Sequence, residues 1–194
     1  MVKISFFILL TLNLISNNVY ANSLWHTIDI NDPNLTVEQA AQQCAKSSMY
    51  APYSLEEWCE KAYSMGSWRS LLYIGYYTGD GTRYVNEVKK HAQADDVEAI
   101  KILAWIYSNG SFVERDLNKS INLYTDYLSH KKNKSLTKHQ LVTVQKALYN
   151  IYKELELWQD ASKSLQYIIN NENNNMEKKF FRDEKIYISE RLSK

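Results

Sequence analysis

The 194-residue sequence has little of what bends a chain: five glycines and two prolines. That is well below the ~12% that these two residues make up in an average protein. A β-sandwich or barrel needs turn residues every ten positions or so, and a phosphate-cradling fold needs glycine clusters. Both are excluded, and an all-α chain is expected. An excess of charge of either sign is lacking too, with 23 Lys and Arg against 22 Asp and Glu. Nucleic-acid binders display a basic surplus, so no nucleic-acid partner is expected.

Catalytic signatures are equally scarce. The four histidines, His26, His91, His130 and His139, form no His-Glu-x-x-His and no metal-ligand spacing with the cysteines. No serine sits in a Gly-x-Ser-x-Gly elbow, or in a Ser-x-x-Lys motif with its usual companions. The sequence therefore leads to no cofactor, no metal and no catalytic residues. His130 and His139 flank a lysine-rich stretch ending at Lys138. It reads first as a solvated loop, and second as a patch for an acidic partner.

What is present begins with an address. Lys3 precedes an apolar run from Ile4 to Ile15, and Val19-Tyr20-Ala21 fits a signal-peptidase site. Residues 1–21 are expected to be a secretory signal peptide, the run being too short to span a bilayer. An uncleaved anchor is the alternative. Cleavage removes Lys3 alone among charged residues, so the chain from Asn22 carries 22 bases and 22 acids. The expectation is a periplasmic or secreted protein, with no stable membrane insertion after cleavage. Its partners are expected to be other proteins or neutral small molecules.

Export brings the only two cysteines, Cys44 and Cys59, into an oxidising compartment. Each falls on its own expected helix: one over residues 37–46 after a Thr36 cap, the next starting at Ser54. Ser54-Leu55-Glu56-Glu57 reads as a capping box, and Pro52 sits in the connection, where no helical amide is needed. A Cys44–Cys59 disulfide would clip the two helices into an N-terminal hairpin over residues 22–65. It would contribute about 3 kcal/mol for a loop of that size. A nucleophilic thiol is the sharper alternative, but no histidine lies near in sequence.

Aromatic residues are plentiful, with 15 Tyr and 5 Trp. From residue 66 the chain reads as amphipathic helices joined by short turns. Leu72 and Tyr76 precede Gly79-Asp80-Gly81, and thirty-one residues later Leu103 and Tyr107 precede Asn109-Gly110. Leu and Tyr four apart share a helix face, and the glycine three beyond the Tyr ends the helix. A period of this size marks a helical repeat. The middle unit carries Glu98-Ala99, Leu103-Ala104, Tyr107, Gly110, Val113, Asp116, Lys119-Ser120 and Tyr124.

This middle unit resembles a Sel1-like repeat, a relative of the tetratricopeptide helix pair with a longer internal loop. Ala104 and Phe112 stand where that family usually has glycine. Asp116 is placed to cap the second helix, and Phe112 is expected under the loop. The unit before it keeps Leu72, Tyr76, Gly79 and Gly81 but has a shorter loop. The unit after it is similar to a plain tetratricopeptide repeat at Leu148-Tyr149, Tyr152, Trp158, Ala161, Leu165 and Ile168. The resemblance spans residues 66–172 and implies a short right-handed α-solenoid whose units are anchored by Tyr76, Tyr107 and Tyr152. Residues 173–194 would form a capping helix with an apolar stripe of Met176, Phe180, Phe181, Ile188 and Leu192.

In proteins of this resemblance the first helices of successive units line a concave groove that holds a partner. Carried over, the protein-binding positions are Ile74 and Tyr77; Glu98, Lys101, Trp105, Ser108 and Asn109; and Thr143, Lys146, Asn150, Lys153 and Glu154. Trp105 lies about 200° round the helix from Tyr107. It reads equally as an exposed hot spot and as packing against the neighbouring unit. The resemblance implies a non-enzymatic protein-binding module, either an envelope adaptor or an immunity-type inhibitor of a secreted toxin. A secreted Sel1-like enzyme acting on β-lactams or cell wall is the alternative; members assigned that activity carry a disulfide in nearly every repeat, and these repeats carry none.

Overall fold

The computed structural model describes residues 28–130 and 136–193. The expected signal peptide, His26 and residues 131–135 of the lysine-rich stretch lie outside the described residues. Among the described residues every regular element is helical: α1 (Val37–Tyr50), α2 (Leu55–Ser64), α3 (Leu71–Thr78), α4 (Thr82–Gln93), α5 (Val97–Asn109), α6 (Leu117–Ser129), α7 (Lys138–Glu154), α8 (Trp158–Asn171) and α9 (Asn175–Leu192). Two 3-10 turns, Pro52–Ser54 and Trp68–Ser70, lead into α2 and α3.

The helix ends follow from side-chain chemistry. Thr36 caps α1 and Thr137 caps α7, each in a reciprocal box closed by Gln39 and Gln140 respectively. Asp96, Asp116 and Asn174 accept from the first amides of α5, α6 and α9. Gly79 and Gly110 close α3 and α5 in the left-handed region, at φ 78° and 70°. The Ser54 capping box expected at α2 is not formed. Backbone from the 3-10 turn runs directly into the helix, so Ser54 has φ −106° and ψ 5° instead of an extended cap conformation. Its hydroxyl is turned back to donate to the Ala51 carbonyl at 3.0 Å.

Three apolar clusters hold the helices together. The first, shared by α1–α5, centres on Leu55, Trp58, Leu71, Val88 and Leu103. The second joins α5, α6 and α7 through Ile100, Ala104, Tyr124, Tyr127 and Leu148. The third joins α7, α8 and α9 through Tyr149, Ala161, Leu165, Ile168 and Phe181. Burying each large side chain contributes about 1.5–3 kcal/mol. Helix α5 sends Ala99, Leu103 and Ile106 into the first cluster and Ile100 and Ala104 into the second. It is a wall common to both. The buried Ser120 hydroxyl donates to the Ala104 carbonyl at 2.8 Å, tying α6 to that wall. Cys44 on α1 and Cys59 on α2 stand at disulfide distance, with sulfurs 2.05 Å apart.

Several expected packing roles fall differently. Helix α4 leans more on α5 than on α3, which has only eight residues to offer. Tyr76 is 57% exposed and does not anchor a core; its ring lies 5.0 Å from that of Phe112. Phe112 does not fold under its own loop. It enters a notch made by Gly75 on α3 and Gly81 just before α4, where a Cβ on Gly81 would stand 2.1 Å from the ring. The backbone of Phe112 is left-handed, φ 62°, a region that favours glycine. On α9 only Phe181 and Ile188 of the expected stripe are buried; Met176, Phe180 and Leu192 are exposed. Met176 and Phe180 lie roughly 100° or more round the helix from Phe181, beyond the reach of α8.

Candidate functional site

A recess of about 590 Å³ opens where α3, α5 and α7 face one another. Its walls come from Leu72 and Tyr73 on α3, Tyr84 on α4, Ile102 and Trp105 on α5, Tyr124 on α6, and Val144 and Ala147 on α7. A smaller recess of about 220 Å³ adjoins it, lined by Ser108, Asn109, Arg115, Asn150, Ile151 and Glu154. Trp105, Tyr124 and Ala147 border both, so the two form one continuous groove with Trp105 at the division.

Helix geometry explains why these residues meet. On α5, Glu98, Lys101, Ile102, Trp105, Ser108 and Asn109 follow i, i+3, i+4, i+7 spacing along the one stripe not consumed by the two clusters. On α7, Thr143, Ala147, Asn150 and Glu154 do the same. Trp105 is 41% exposed and lines both recesses. An exposed indole over an apolar floor can bind an apolar side chain and still donate its ring N–H.

The charges of the groove are largely spoken for. Lys101 Nζ is 2.6 Å from Glu98 Oε1 and lies over the Tyr127 ring. Arg115 makes two parallel bonds of 2.6 Å to Glu154 and also donates through Nε to the Ser108 carbonyl at 2.7 Å. That fork lines the smaller recess, and its hydrogen bond holds Glu154 below the usual carboxylate range. Arg69, at the opposite mouth, stacks over Trp68 at 4.4 Å. Among the described residues no carboxylate pairs with it. Burial pushes Tyr84 and Tyr124 each up to about 12, against small opposing effects from Arg69 and Ser108, so both remain neutral phenols at ordinary pH.

Of the positions read from sequence, Glu98, Lys101, Trp105, Ser108, Asn109, Thr143, Asn150 and Glu154 line this groove. Four do not. Ile74 is buried in the first cluster. Tyr77 is exposed and lines another recess, with Ser48, Leu55, Tyr73 and Tyr76. Lys146 and Lys153 sit roughly 100° round α7 from Ala147 and turn to α9 and the turn that leads into it. Lys146 pairs there with Glu172 at 2.6 Å and with Glu177, and Lys153 pairs with Glu184. Sequence reasoning missed Ile102 and Ala147, although each lies at i+4 from a named position. It also missed Arg69 and Tyr84, which reach the groove only through the 3-10 turn and the tertiary placement of α4.

Among the described residues no group of three or more His, Cys, Asp or Glu is placed to hold a metal ion, and no helix is long and apolar enough to cross a membrane. Comparison with family models, with curated proteins and with solved structures returns no match for this chain.

Proposed function

We propose that this protein is an exported, non-enzymatic protein-binding module. In this reading its helix pairs stack as a short right-handed Sel1/tetratricopeptide-like solenoid with residues 22–65 as an N-terminal disulfide hairpin. Residues 173–194 cap the other end, and the groove between α3, α5 and α7 holds the partner. The partner is an envelope component or a secreted toxin, which makes the protein an adaptor or an immunity-type inhibitor. The observation that carries the reading is the groove itself: a wide apolar recess with a half-exposed tryptophan on its dividing ridge. Exposed aromatic anchors surrounded by neutral polar residues are what binding hot spots are made of. The balanced charge and the scarcity of catalytic motifs support the same reading.

Photo-crosslinking tests it. A benzoylphenylalanine at position 143 in the groove should capture one stoichiometric partner from the envelope fraction, whereas the same group at Gln166 on α8 should not. Replacing Trp105 by Ala should abolish the capture. A toxic effector as the partner assigns an immunity role, and a secretion or assembly component assigns an adaptor role. Equal capture from both positions, or none from the groove, refutes the reading. Intact-mass measurement of the exported protein should give a start at Asn22 and the loss of two hydrogens.

A further inference from the structure

The groove has a direction, and the direction defines what lies in it. Its larger recess is walled mainly by Leu72, Tyr73, Ile102, Trp105, Val144 and Ala147, which offer an apolar surface and few hydrogen bonds. Its smaller recess is half polar. There the side-chain amide of Asn150 has no hydrogen-bond partner among the described residues, and Asn109 Nδ2 is bonded to the Trp105 carbonyl while its Oδ1 stays open. Open amides beside an apolar pocket match the alternation of a polypeptide, in which a side chain is buried and the adjoining backbone must be satisfied.

Charge settles the remaining end. The groove contains three cations and two carboxylates: Lys101 is joined to Glu98 and Arg115 to Glu154. Arg69 is left over at the mouth of the apolar recess, opposite the polar end. A carboxylate arriving there finds a guanidinium that stacks on the Trp68 ring, lies close enough to Tyr84 to act on it, and pairs with no carboxylate among the described residues. An arriving cation would meet Arg69 with no carboxylate free to receive it.

We propose that the groove takes a segment of a partner protein built as an acidic residue, a bulky apolar residue and then a small polar stretch. The carboxylate lies on Arg69, the apolar side chain fills the recess beside Trp105, and the backbone beyond crosses Trp105 to the amides of Asn109 and Asn150. This rests on the groove being the protein-binding face proposed above, and it adds the chemistry and polarity of the bound segment.

The test is selection of phage-displayed random dodecapeptides on the purified oxidised protein, followed by affinity measurement with the synthetic peptides recovered. Peptides should carry Asp or Glu within two residues of Phe, Trp, Leu or Met. Arg69→Glu should weaken the acidic peptides by about fivefold and, in a fresh selection, replace Asp and Glu by Lys and Arg. Ala147→Trp should fill the recess and abolish binding. Trp105→Ala, which leaves the floor intact, guards against misfolding of that variant and should also abolish binding. Peptides that need the groove but show no acidic preference, or are indifferent to Arg69→Glu, overturn this inference and leave the groove as a protein-binding face. Peptides insensitive to both groove substitutions, or none recovered at all, overturn both readings. Self-association of the protein that Ala147→Trp abolishes would also overturn the inference, by assigning the recess to a second copy.

Discussion

The two ends of this molecule are held by different forces. At the N-terminal end, α1–α5 share the largest apolar cluster, and Cys44 and Cys59 stand within it at disulfide distance. At the C-terminal end, α9 contributes two buried side chains, Phe181 and Ile188, and is otherwise fastened by charge. Lys153 and the Tyr149 hydroxyl both donate to Glu184, and Lys146 bridges Glu172 and Glu177. Apolar burial is indifferent to pH and strengthened by salts such as sulfate, whereas half-exposed ion pairs are screened. The difference teaches that α9 is the part of the fold that solution conditions can loosen without unfolding the rest.

The strongest way to break this contrast is Trp58→Ala in the first cluster, where the ring is 6% exposed. It should cost about 4 kcal/mol, read as a fall in the urea midpoint of the α1–α5 region. Replacing both Cys44 and Cys59 by Ser should cost about 3 kcal/mol and leave amide exchange in α9 unchanged. Faster exchange in α9 would show that the two ends are one cooperative unit.

Gly81→Ala should cost about 2 kcal/mol, because the new methyl collides with the Phe112 ring and the loop must give way. Combining it with Phe112→Ala should recover much of that loss, and a double-mutant cycle measures the coupling. Additive effects would mean the notch is not filled as described.

Acid should act on the C-terminal end first. The Asn174 backbone amide and the Lys146 ammonium hold Glu172 down at about 2, from an ordinary value of 4.5. Burial pushes Glu184 up, but the hydrogen bonds from Lys153 and Tyr149 and the lysine charge outweigh it and leave this carboxyl below its usual value. A carboxyl with a lowered folded pKa stabilises fully above its unfolded value, and the contribution fades as pH falls through the folded one. Between pH 4.5 and 2, α9 should therefore lose amide protection, relative to the intrinsic exchange rate at each pH, while α1 and α2 keep theirs. The smallest effect is expected at Trp105→Ala, below about 1 kcal/mol in stability, since this half-exposed side chain faces the groove. A large fall in melting temperature would make Trp105 part of the core.

The helices themselves were legible because their ends carry strong local chemistry. Gly79, Gly110, Thr36 and Asp116 each act on backbone within four residues, so sequence spacing is enough to place them. The capping boxes at Thr36-x-x-Gln39 and Thr137-x-x-Gln140 were equally visible in the sequence and went unread, while the one named at Ser54 yielded to a 3-10 turn. On α5 the groove stripe could be read because two buried faces leave only one direction free. On α7 the same reasoning took in Lys146 and Lys153, whose partners sit on α9 and the turn before it, which no periodicity within α7 can reveal. Arg69 was out of reach for the same reason: its place depends on how a short 3-10 turn is set against α4.

The Phe112 plug sets a rule for how this chain can change over evolutionary time. Positions 75, 81 and 112 occupy one volume, with no room for a Cβ on Gly81 while the ring is present. A lineage that enlarges residue 81 must first shrink residue 112, and once 112 is glycine the left-handed backbone there is relieved and residue 81 is free to drift. Among descendants these positions should therefore change as a set, and an aromatic at 112 should occur only beside a glycine at 81. That linkage across thirty-one residues is a marker by which distant relatives can be recognised when little else in the sequence is shared.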